Sequence, residues 1–201
     1  MSDPVVRCAW AGGEELSAYH DLEWGRPVTD ERGLFERLSL EAFQSGLSWL
    51  TILRKRERFR AAFAGFDPEA VAGFGERDVE RLLADAAIVR NRAKIEATLA
   101  NARAIAALGA AGGSFAGLVW SFRPPPAPAP AELGDLPATT PASKELAKAL
   151  KAHGFRFVGP TTAYALMQAA GLVNDHLAGC FVREEVAAEQ AAAAAAATAP
   201  R

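Results

Sequence analysis

Apolar residues recur along this chain at three- and four-residue spacing, and no segment alternates apolar and polar residues as a half-buried strand does. That period predicts amphipathic helices. The clearest one follows Asp30, which can cap a helix whose apolar side consists of Leu34, Phe35, Leu38 and Ala42. The sequence therefore predicts an all-α fold, built as one compact domain or as two closely apposed helical lobes.

Capping residues and prolines place several helix boundaries. Ser48 and Asp67, the latter followed by a proline, are predicted to cap the helices that begin after them. The proline-rich stretch 123–130 cannot continue a helix and is predicted to be an extended loop. Ser143 is predicted to cap the next helix, residues 144–153.

A short connection is expected between two amphipathic segments, one around Leu82 and one around Leu99. Only residues 86–90 separate them, which predicts a tight helix–hairpin–helix. Basic residues cluster just after this connection, in 90–103, and also in the run RKRERFR, residues 54–60. Such runs fit a solvated helix face as well as a surface that contacts nucleic acid.

Composition limits the class of protein. The 201 residues are 50% apolar and 23% charged, with a formal net charge of −2, which excludes a disordered chain and argues against a non-specific nucleic-acid coat protein. No transmembrane run or signal peptide is visible, and two cysteines form no disulfide framework, so a reducing cytoplasm is expected. We expect a domain over 1–185 and a low-complexity, alanine-rich, dispensable tail over 186–201.

Both cysteines and two of the three histidines fall into pairs at opposite ends of the chain. Eleven residues separate Cys8 from His20, and three separate His176 from Cys180, a spacing that one helical turn can present to one ion. Thiolates and imidazoles together suit zinc, and four protein ligands would make the site structural. The spacing alone also fits two ordinary buried thiols with two unrelated histidines, or a disulfide between the cysteines.

Aromatic residues are concentrated near the N-terminus. Trp10, Trp24 and Trp49, three of the four tryptophans, fall in the first quarter of the chain together with Tyr19. Aromatic walls around one buried carboxylate form a pocket for a flat cationic or electron-poor ring. Glu41 is the candidate carboxylate, because it lies among apolar residues of its helix and needs a partner there. Alternatively, the tryptophans simply belong to the core.

Several long motifs follow one another from about residue 8 to residue 180: Cys-x-Trp, AYHDLEWG, LEAFQSGLSW, ILRKRERFR, GFRFVGPTTAY and LMQAAGLVNDHLAGC. In this combination the sequence resembles the constitutive bacterial 3-methyladenine DNA glycosylase I family. The resemblance covers nearly the whole folded chain. It implies an all-α, helix-hairpin-helix glycosylase-like bundle whose N- and C-terminal segments are joined by one structural Zn2+. The implied ligands are Cys8, His20, His176 and Cys180.

The resemblance also assigns a base pocket. Glu41 would be the catalytic residue and would accept hydrogen bonds from the methylated adenine, while Trp49 would stack on its face. The remaining substrate-binding residues by the same match are Tyr19, Trp10, Trp24 and Leu16. Leu16 stands where the family often has a tyrosine, so one wall of the pocket would be aliphatic.

DNA contacts are implied at two places. Gly46 and Leu47 would fill the gap that a flipped nucleotide leaves. The hairpin amides would grip a phosphate, with Arg90, Arg92 and Lys94 close by. The superfamily's usual catalytic aspartate has no counterpart just past the hairpin.

The implied activity is a monofunctional DNA repair glycosylase that flips 3-methyladenine out of double-stranded alkylated DNA and hydrolyses its N-glycosidic bond. Its products would be an abasic site and free 3-methyladenine. We expect a cytoplasmic monomer that does not bind membranes. The alternatives are a non-catalytic, zinc-stapled module that binds damaged DNA, a glycosylase/lyase that uses Lys94 as a Schiff-base amine, and a catalytic zinc hydrolase.

Overall fold

The fold is built entirely from helices in the part of the chain that the computed structural model describes, residues 5–198. None of these helices combines the length and the apolar character that a membrane span requires. The helices are α1 (Glu14–Leu22), α2 (Glu31–Gln44), α3 (Trp49–Ala62), α4 (Pro68–Ala72), α5 (Glu76–Ala84), α6 (Arg92–Ala110), α7 (Phe115–Trp120), α8 (Pro141–Ala152), α9 (Pro160–Ala169) and α10 (Arg183–Thr198), with 3-10 turns at Ala64–Phe66 and Leu133–Asp135.

Side-chain caps begin the helices where the sequence predicts them, with one correction. The side chains of Asp30, Ser48 and Asp67 each accept a backbone N–H from the first turn of the helix that follows. The prediction for α8 is wrong, because Thr140 rather than Ser143 is the N-cap. Ser143 is the third helical residue, and its hydroxyl accepts the N–H of Thr140 in a reciprocal capping pair.

Helix α2 lies at the centre of the molecule and packs against α3, α6 and α9. Its residues Phe35 and Phe43 are fully buried and contact a group of equally buried rings from α3 and the turn after it. Those rings belong to Phe59, Phe63 and Phe66. This packing fixes α2 on three sides, so the side chains near its C-terminal end are held in place by the core.

Helices α5 and α6 pack against each other and are joined by residues 85–91, which form the predicted short turn. The turn is closed from within: the Asp85 carboxylate accepts the N–H of Ala87, and Asn91 caps α6. Lys55 of α3 donates to the carbonyls of Ala86 and Ala87 at 3.4 and 3.0 Å. These contacts hold the turn in one conformation.

The two ends of the chain meet in a second, smaller apolar cluster that contains Cys8, Cys180 and Val186. Val186 is fully buried, and the Gln190 side chain donates to the carbonyl of Gly25 at 2.8 Å. The expectation that the chain is a dispensable tail from residue 186 onward is therefore wrong up to Gln190. Composition missed it because a few side chains within an alanine-rich sequence, Val186, Glu189 and Gln190, make the contacts.

Candidate functional site

The four predicted metal ligands converge, although about 170 residues separate the two pairs. All four are buried, and their ligand atoms lie within 4.8 Å of one another. The His20 Nε2 to His176 Nδ1 distance is 3.2 Å, and Cys180 Sγ lies 3.4 Å and 3.5 Å from these two atoms. Cys8 Sγ is 3.7 Å from His176 Nδ1, and both cysteines are free.

Four of the six ligand–ligand separations, from 3.2 to 3.7 Å, are close to the edges of a tetrahedral shell. Bonds of about 2.0–2.1 Å to nitrogen and about 2.3 Å to sulfur give ligand–ligand edges of about 3.3–3.8 Å. The four atoms therefore surround a point at which one ion can bind all of them. The group can hold a metal ion, and with four protein ligands it leaves no position for a substrate.

Hydrogen bonds around this group fix the histidine tautomers. His20 Nδ1 lies 2.8 Å from the carboxylate of Asp21, and His176 Nε2 lies 3.0 Å from the carbonyl oxygen of Trp24. Because both acceptors lack a proton, these nitrogens carry the hydrogens and the opposite ring nitrogens keep their lone pairs. Burial lowers the pKa of His176 to about 4, which keeps it neutral. Arg7 holds Asp21 through a bidentate pair.

An aromatic wall begins one residue before the ligand His20. The ring of Tyr19 is buried, with its centroid 5.1 Å from that of Trp49 and 6.3 Å from that of Trp10. Trp10 in turn lies 5.3 Å from the His20 ring. Tyr19, Trp49 and Trp10 therefore form a continuous surface that extends from the metal ligands to the start of α3.

Three polar groups along this wall have no hydrogen-bond partner among residues 5–198. The Trp49 Nε1 is buried and unpaired, and neither the Tyr19 hydroxyl nor the Glu41 carboxyl bonds to a protein group. Buried polar groups are nearly always satisfied, and an unsatisfied one costs roughly 1–3 kcal/mol. The unpaired indole N–H of Trp49 is therefore a donor that a polar ligand can satisfy.

Electrostatics show that Glu41 lies deep in the protein and close to Tyr19. Burial raises the pKa of Glu41 to about 8, and the Arg37 charge one turn earlier on α2 offsets this only in part. Burial also raises the pKa of Tyr19 strongly, and the charge of Glu41 adds to that rise. Glu41 nevertheless keeps some solvent exposure. The Glu41 carboxyl is therefore largely enclosed by protein but remains in reach of water.

The segment between α2 and α3, residues 45–48, projects beside this wall. Gly46 has a φ of +83°, a left-handed conformation that favours glycine, and nothing lies within 4 Å of the position a side chain would occupy. Leu47 is 42% exposed. Beneath the segment, Lys94 Nζ donates to the carbonyls of Phe43 and Ser45 at 2.8 and 2.6 Å. The tip is thus open and apolar, while its base is tied to α6.

Comparison with known proteins identifies the family of this chain. The family model for methyladenine glycosylase matches residues 10–184. The chain is 51% identical to DNA-3-methyladenine glycosylase 1 of Escherichia coli K12, over 88% of this chain and 96% of that protein. This chain belongs to the methyladenine glycosylase family.

Solved structures of the family share the fold. A crystal structure of 3-methyladenine DNA glycosylase I is 53% identical and superposes with a TM-score of 0.85, covering 88% of this chain and 98% of that one. A variant of 3-methyladenine DNA glycosylase I solved in complex with 3-methyladenine is 36% identical, with a TM-score of 0.83, and covers 88% of this chain and 97% of that one.

The structure groups the predicted pocket residues around Tyr19, apart from Trp24. Leu16 is half-buried and lies one turn before Tyr19, on the same side of α1. The ring contacts of Trp24 in the described chain are with Trp10 and the ligand histidines, at 4.7 Å from His176. The Trp24 ring therefore packs between Trp10 and the ligand histidines.

The predicted DNA-contacting cations differ in accessibility. Arg90 and Arg92 are exposed near the hairpin, and Arg92 pairs with Glu76 and Glu96. Lys94 is only 6% exposed, and its ammonium is used by the two carbonyls at the base of the loop. The prediction that Lys94 contacts DNA is therefore wrong, since its side chain points into the protein.

Sequence reasoning missed Asp21 and the function of Trp49 Nε1 as an open donor. Asp21 follows the ligand His20 directly, and a carboxylate beside a metal-binding histidine is a recurrent arrangement. That adjacency could have revealed it. Nothing in the sequence signals that the indole N–H of Trp49 is unpaired.

A cavity of about 540 Å³ lies elsewhere, between the proline-rich stretch 123–130 and the start of α10. Two acidic residues line it, and both already accept hydrogen bonds. Asp175 accepts the hydroxyl of Tyr164 at 2.5 Å and the amide of Gln168 at 2.7 Å, and Asp135 accepts the backbone N–H groups of Ala131 and Glu132. This cavity therefore has no acidic group without a hydrogen-bond partner, in contrast to Glu41.

Proposed function

We propose that this chain is a monofunctional DNA glycosylase that hydrolyses the N-glycosidic bond of 3-methyladenine in double-stranded DNA, with Glu41 as its catalytic residue. The observation that carries the proposal is the open carboxyl of Glu41 beside the Tyr19–Trp49 wall. The family relationship supports the reaction, because the relatives are named for release of this base.

The wall suits a cationic purine. Methylation at N3 places a positive charge on the ring, and that charge is attracted to the faces of Trp49 and Tyr19, worth about 0.5–2 kcal/mol per contact. Normal adenine gains no such attraction. The open groups of Glu41 and Trp49 then offer an acceptor and a donor to the polar edge of the base.

The charge on the base also makes it a good leaving group, so no acid has to protonate it. As the bond to C1′ breaks, the electron pair moves to the base, which leaves as a neutral purine. Water adds to C1′ and loses a proton to solvent. The Glu41 carboxylate, at close range to the cationic base, favours binding of this charged form and balances positive charge on the sugar in the transition state.

Extrusion of the base leaves a gap in the duplex that the loop tip can fill. Gly46 and Leu47 are exposed and apolar, and the tied base of the loop keeps them projected. We place phosphate contacts at the hairpin 85–91 and at Arg90, with Arg92 available once its exposed pairs with Glu76 and Glu96 are exchanged. In this assignment α5 and α6 form the helix-hairpin-helix element.

We assign the Cys8–His20–His176–Cys180 group to one structural Zn2+. The mixed thiolate and imidazole donors and the tetrahedral spacing suit zinc better than a hard cation such as Mg2+ or Ca2+. Its role would be to hold the N-terminal segment and the loop before α10 together. We further propose that the protein acts as a cytoplasmic monomer on alkylated DNA and does not bind membranes.

The decisive experiment measures release of free 3-methyladenine from methylated duplex DNA by chromatography, for wild type, Glu41→Gln and Glu41→Ala. We expect release by the wild type and a loss of at least about tenfold in kcat/KM for both variants. Binding to alkylated DNA without any release of base by the wild type would instead favour the non-catalytic module.

A further inference from the structure

Phe157 stands out of the surface on the connection between α8 and α9. Its side chain is 42% exposed, and its φ of +57° lies in the left-handed region that a phenylalanine rarely adopts. Strained residues of this kind persist where the surrounding structure fixes them, and they concentrate at functional sites.

The neighbours of Phe157 force this conformation. Phe155 and Val158, on either side, are only 3% and 2% exposed and anchor the connection in the core. Between them, the buried side chain of Asn101 on α6 binds both backbone groups of Arg156, accepting its N–H at 2.7 Å and donating to its carbonyl at 3.2 Å. The backbone is thus fixed at three points, and the aromatic ring is directed outward.

The ring lies next to the loop that we assign to the DNA gap. Lys94 Nζ is 5.9 Å from the centroid of the Phe157 ring, and the same ammonium donates to the carbonyls of Phe43 and Ser45 at the base of that loop. One buried ammonium therefore contacts both projections, the loop that carries Leu47 and the ring of Phe157.

The surroundings of Phe157 favour an anionic partner. The adjacent Arg156 is exposed, as is Lys151 in the last turn of α8, and neither forms a salt bridge within residues 5–198. An exposed aromatic ring beside an unpaired cation such as Arg156 can bind nucleic acid, since the ring stacks on a base while the cation contacts a phosphate.

We propose that Phe157 is a second DNA wedge, which stacks on a nucleobase beside the gap while Leu47 enters the gap itself. The inference rests on the proposed glycosylase function and adds a specific DNA-binding residue to it. Leu47 and Phe157 would support the distorted duplex from two positions, and Lys94 would keep their spacing constant.

The test compares binding of two duplexes, one with a tetrahydrofuran abasic analogue and one undamaged. For Phe157→Ala we expect about tenfold weaker binding of the abasic duplex, since stacking of one base on an aromatic ring accounts for that order of affinity. Binding of the undamaged duplex, and quenching of tryptophan fluorescence by free 3-methyladenine, should stay within about twofold of wild type. Phe157→Trp should restore binding of the abasic duplex, because an indole can stack.

Two further variants separate the ring from the backbone strain. Phe157→Gly relieves the left-handed conformation, so it should fold at least as stably as wild type and still bind the abasic duplex weakly. Leu133→Ala, which truncates a side chain that is 38% exposed on the turn before α8, should bind the abasic duplex like wild type.

The outcomes distinguish the wedge from the glycosylase activity. If Phe157→Ala and Phe157→Gly both prefer the abasic duplex as strongly as the wild type does, Phe157 is not a wedge. The glycosylase assignment would still stand. Equal weakening on both duplexes would also overturn the wedge, since that result would indicate a general DNA contact that does not recognise the gap. If the wild type releases no 3-methyladenine from alkylated DNA, the proposed function itself fails.

Discussion

Tyr19 and His20 are consecutive on α1, yet their side chains belong to two different sites. The Tyr19 ring centroid lies 5.1 Å from that of Trp49 in the aromatic wall, and His20 Nε2 lies 3.4 Å from Cys180 Sγ in the metal-ligand group. Successive helical residues point about 100° apart, so one turn of helix serves both. A displacement of the metal ligand His20 would therefore also displace Tyr19 in the aromatic wall.

Removal of a metal ligand should weaken both sites together. For Cys180→Ser we expect loss of bound zinc, loss of unfolding free energy on the order of 4 kcal/mol, and weaker binding of free 3-methyladenine, because the position of α1 depends on the closed group. Metal analysis, thermal unfolding and fluorescence titration measure these effects. The control His153→Ala, at an exposed histidine outside the group, should change none of them.

Glu41→Gln should stabilise the protein in a pH-dependent way. The pKa of Glu41 is about 8 in the folded chain and near 4.5 when unfolded, so between these values the folded state holds the extra proton. Wild-type stability must therefore fall as pH rises from about 4.5 to 8, by at most about 1.4 kcal/mol per pH unit, and then level off. The amide does not titrate. Thermal unfolding at pH 5, 7 and 9 should show a growing advantage for Glu41→Gln.

The rate of base release should rise with pH over the range in which the stability of the wild type falls. The charged form of Glu41 attracts the cationic base, and this charged form is the minor one below pH 8. We expect kcat/KM to rise about tenfold per pH unit towards pH 8 and then to level off, in single-turnover assays on methylated DNA. Tyr19→Phe should keep this rise at a different absolute rate. A flat wild-type profile would show that Glu41 is charged throughout the range.

Lys94→Met should act through the loop and not through covalent chemistry. The change removes two hydrogen bonds to the carbonyls of Phe43 and Ser45, which we expect to cost about 1–3 kcal/mol of stability and to reduce excision from DNA more than binding of the free base. Borohydride treatment during turnover should trap no covalent wild-type adduct, because the buried amine cannot reach the sugar. If the wild type formed a trapped adduct and Lys94→Met did not, the result would support the alternative of a glycosylase/lyase that uses Lys94.

Two truncations should measure the contribution of Val186 and Gln190 to the stability of the fold. Removal of residues 191–201 keeps Val186 and Gln190 in place and should lower the melting temperature less than the longer truncation does. Removal of 183–201 deletes both buried residues, the Arg26 pairs with Glu185 and Glu189, and the Gln190 hydrogen bonds, so we expect a loss of several kcal/mol. Equal stability of the two truncations would contradict this expectation.

Local signals in the sequence predicted much of the fold. The caps at Asp30, Ser48 and Asp67 are each encoded within a few residues, and so is the short turn between α5 and α6. Thr140 was missed because two neighbouring hydroxyl residues both fit a cap, and only the backbone geometry decides between them.

Long-range features were predictable only where the sequence resembled a known family. Spacing alone left the four metal ligands compatible with ordinary buried residues, and the structure brings them together. The positions of Lys94 and Trp24 could not be predicted for the same reason. A basic residue near a hairpin and a tryptophan near a pocket have the same local pattern whether they face outward or pack inward, and tertiary packing decides.

Residues 8 and 20 can contact residues 176 and 180 only after the later pair has been synthesised. The metal-ligand group therefore forms late in the synthesis of the chain. A ribosome makes Cys8 and His20 early, but His176 and Cys180 leave the exit tunnel only after a further 150 residues or so. A nascent chain can thus begin to pack its phenylalanine core before the four ligands can meet. Until they meet, the aromatic wall beside His20 would lack the support of the closed ligand group.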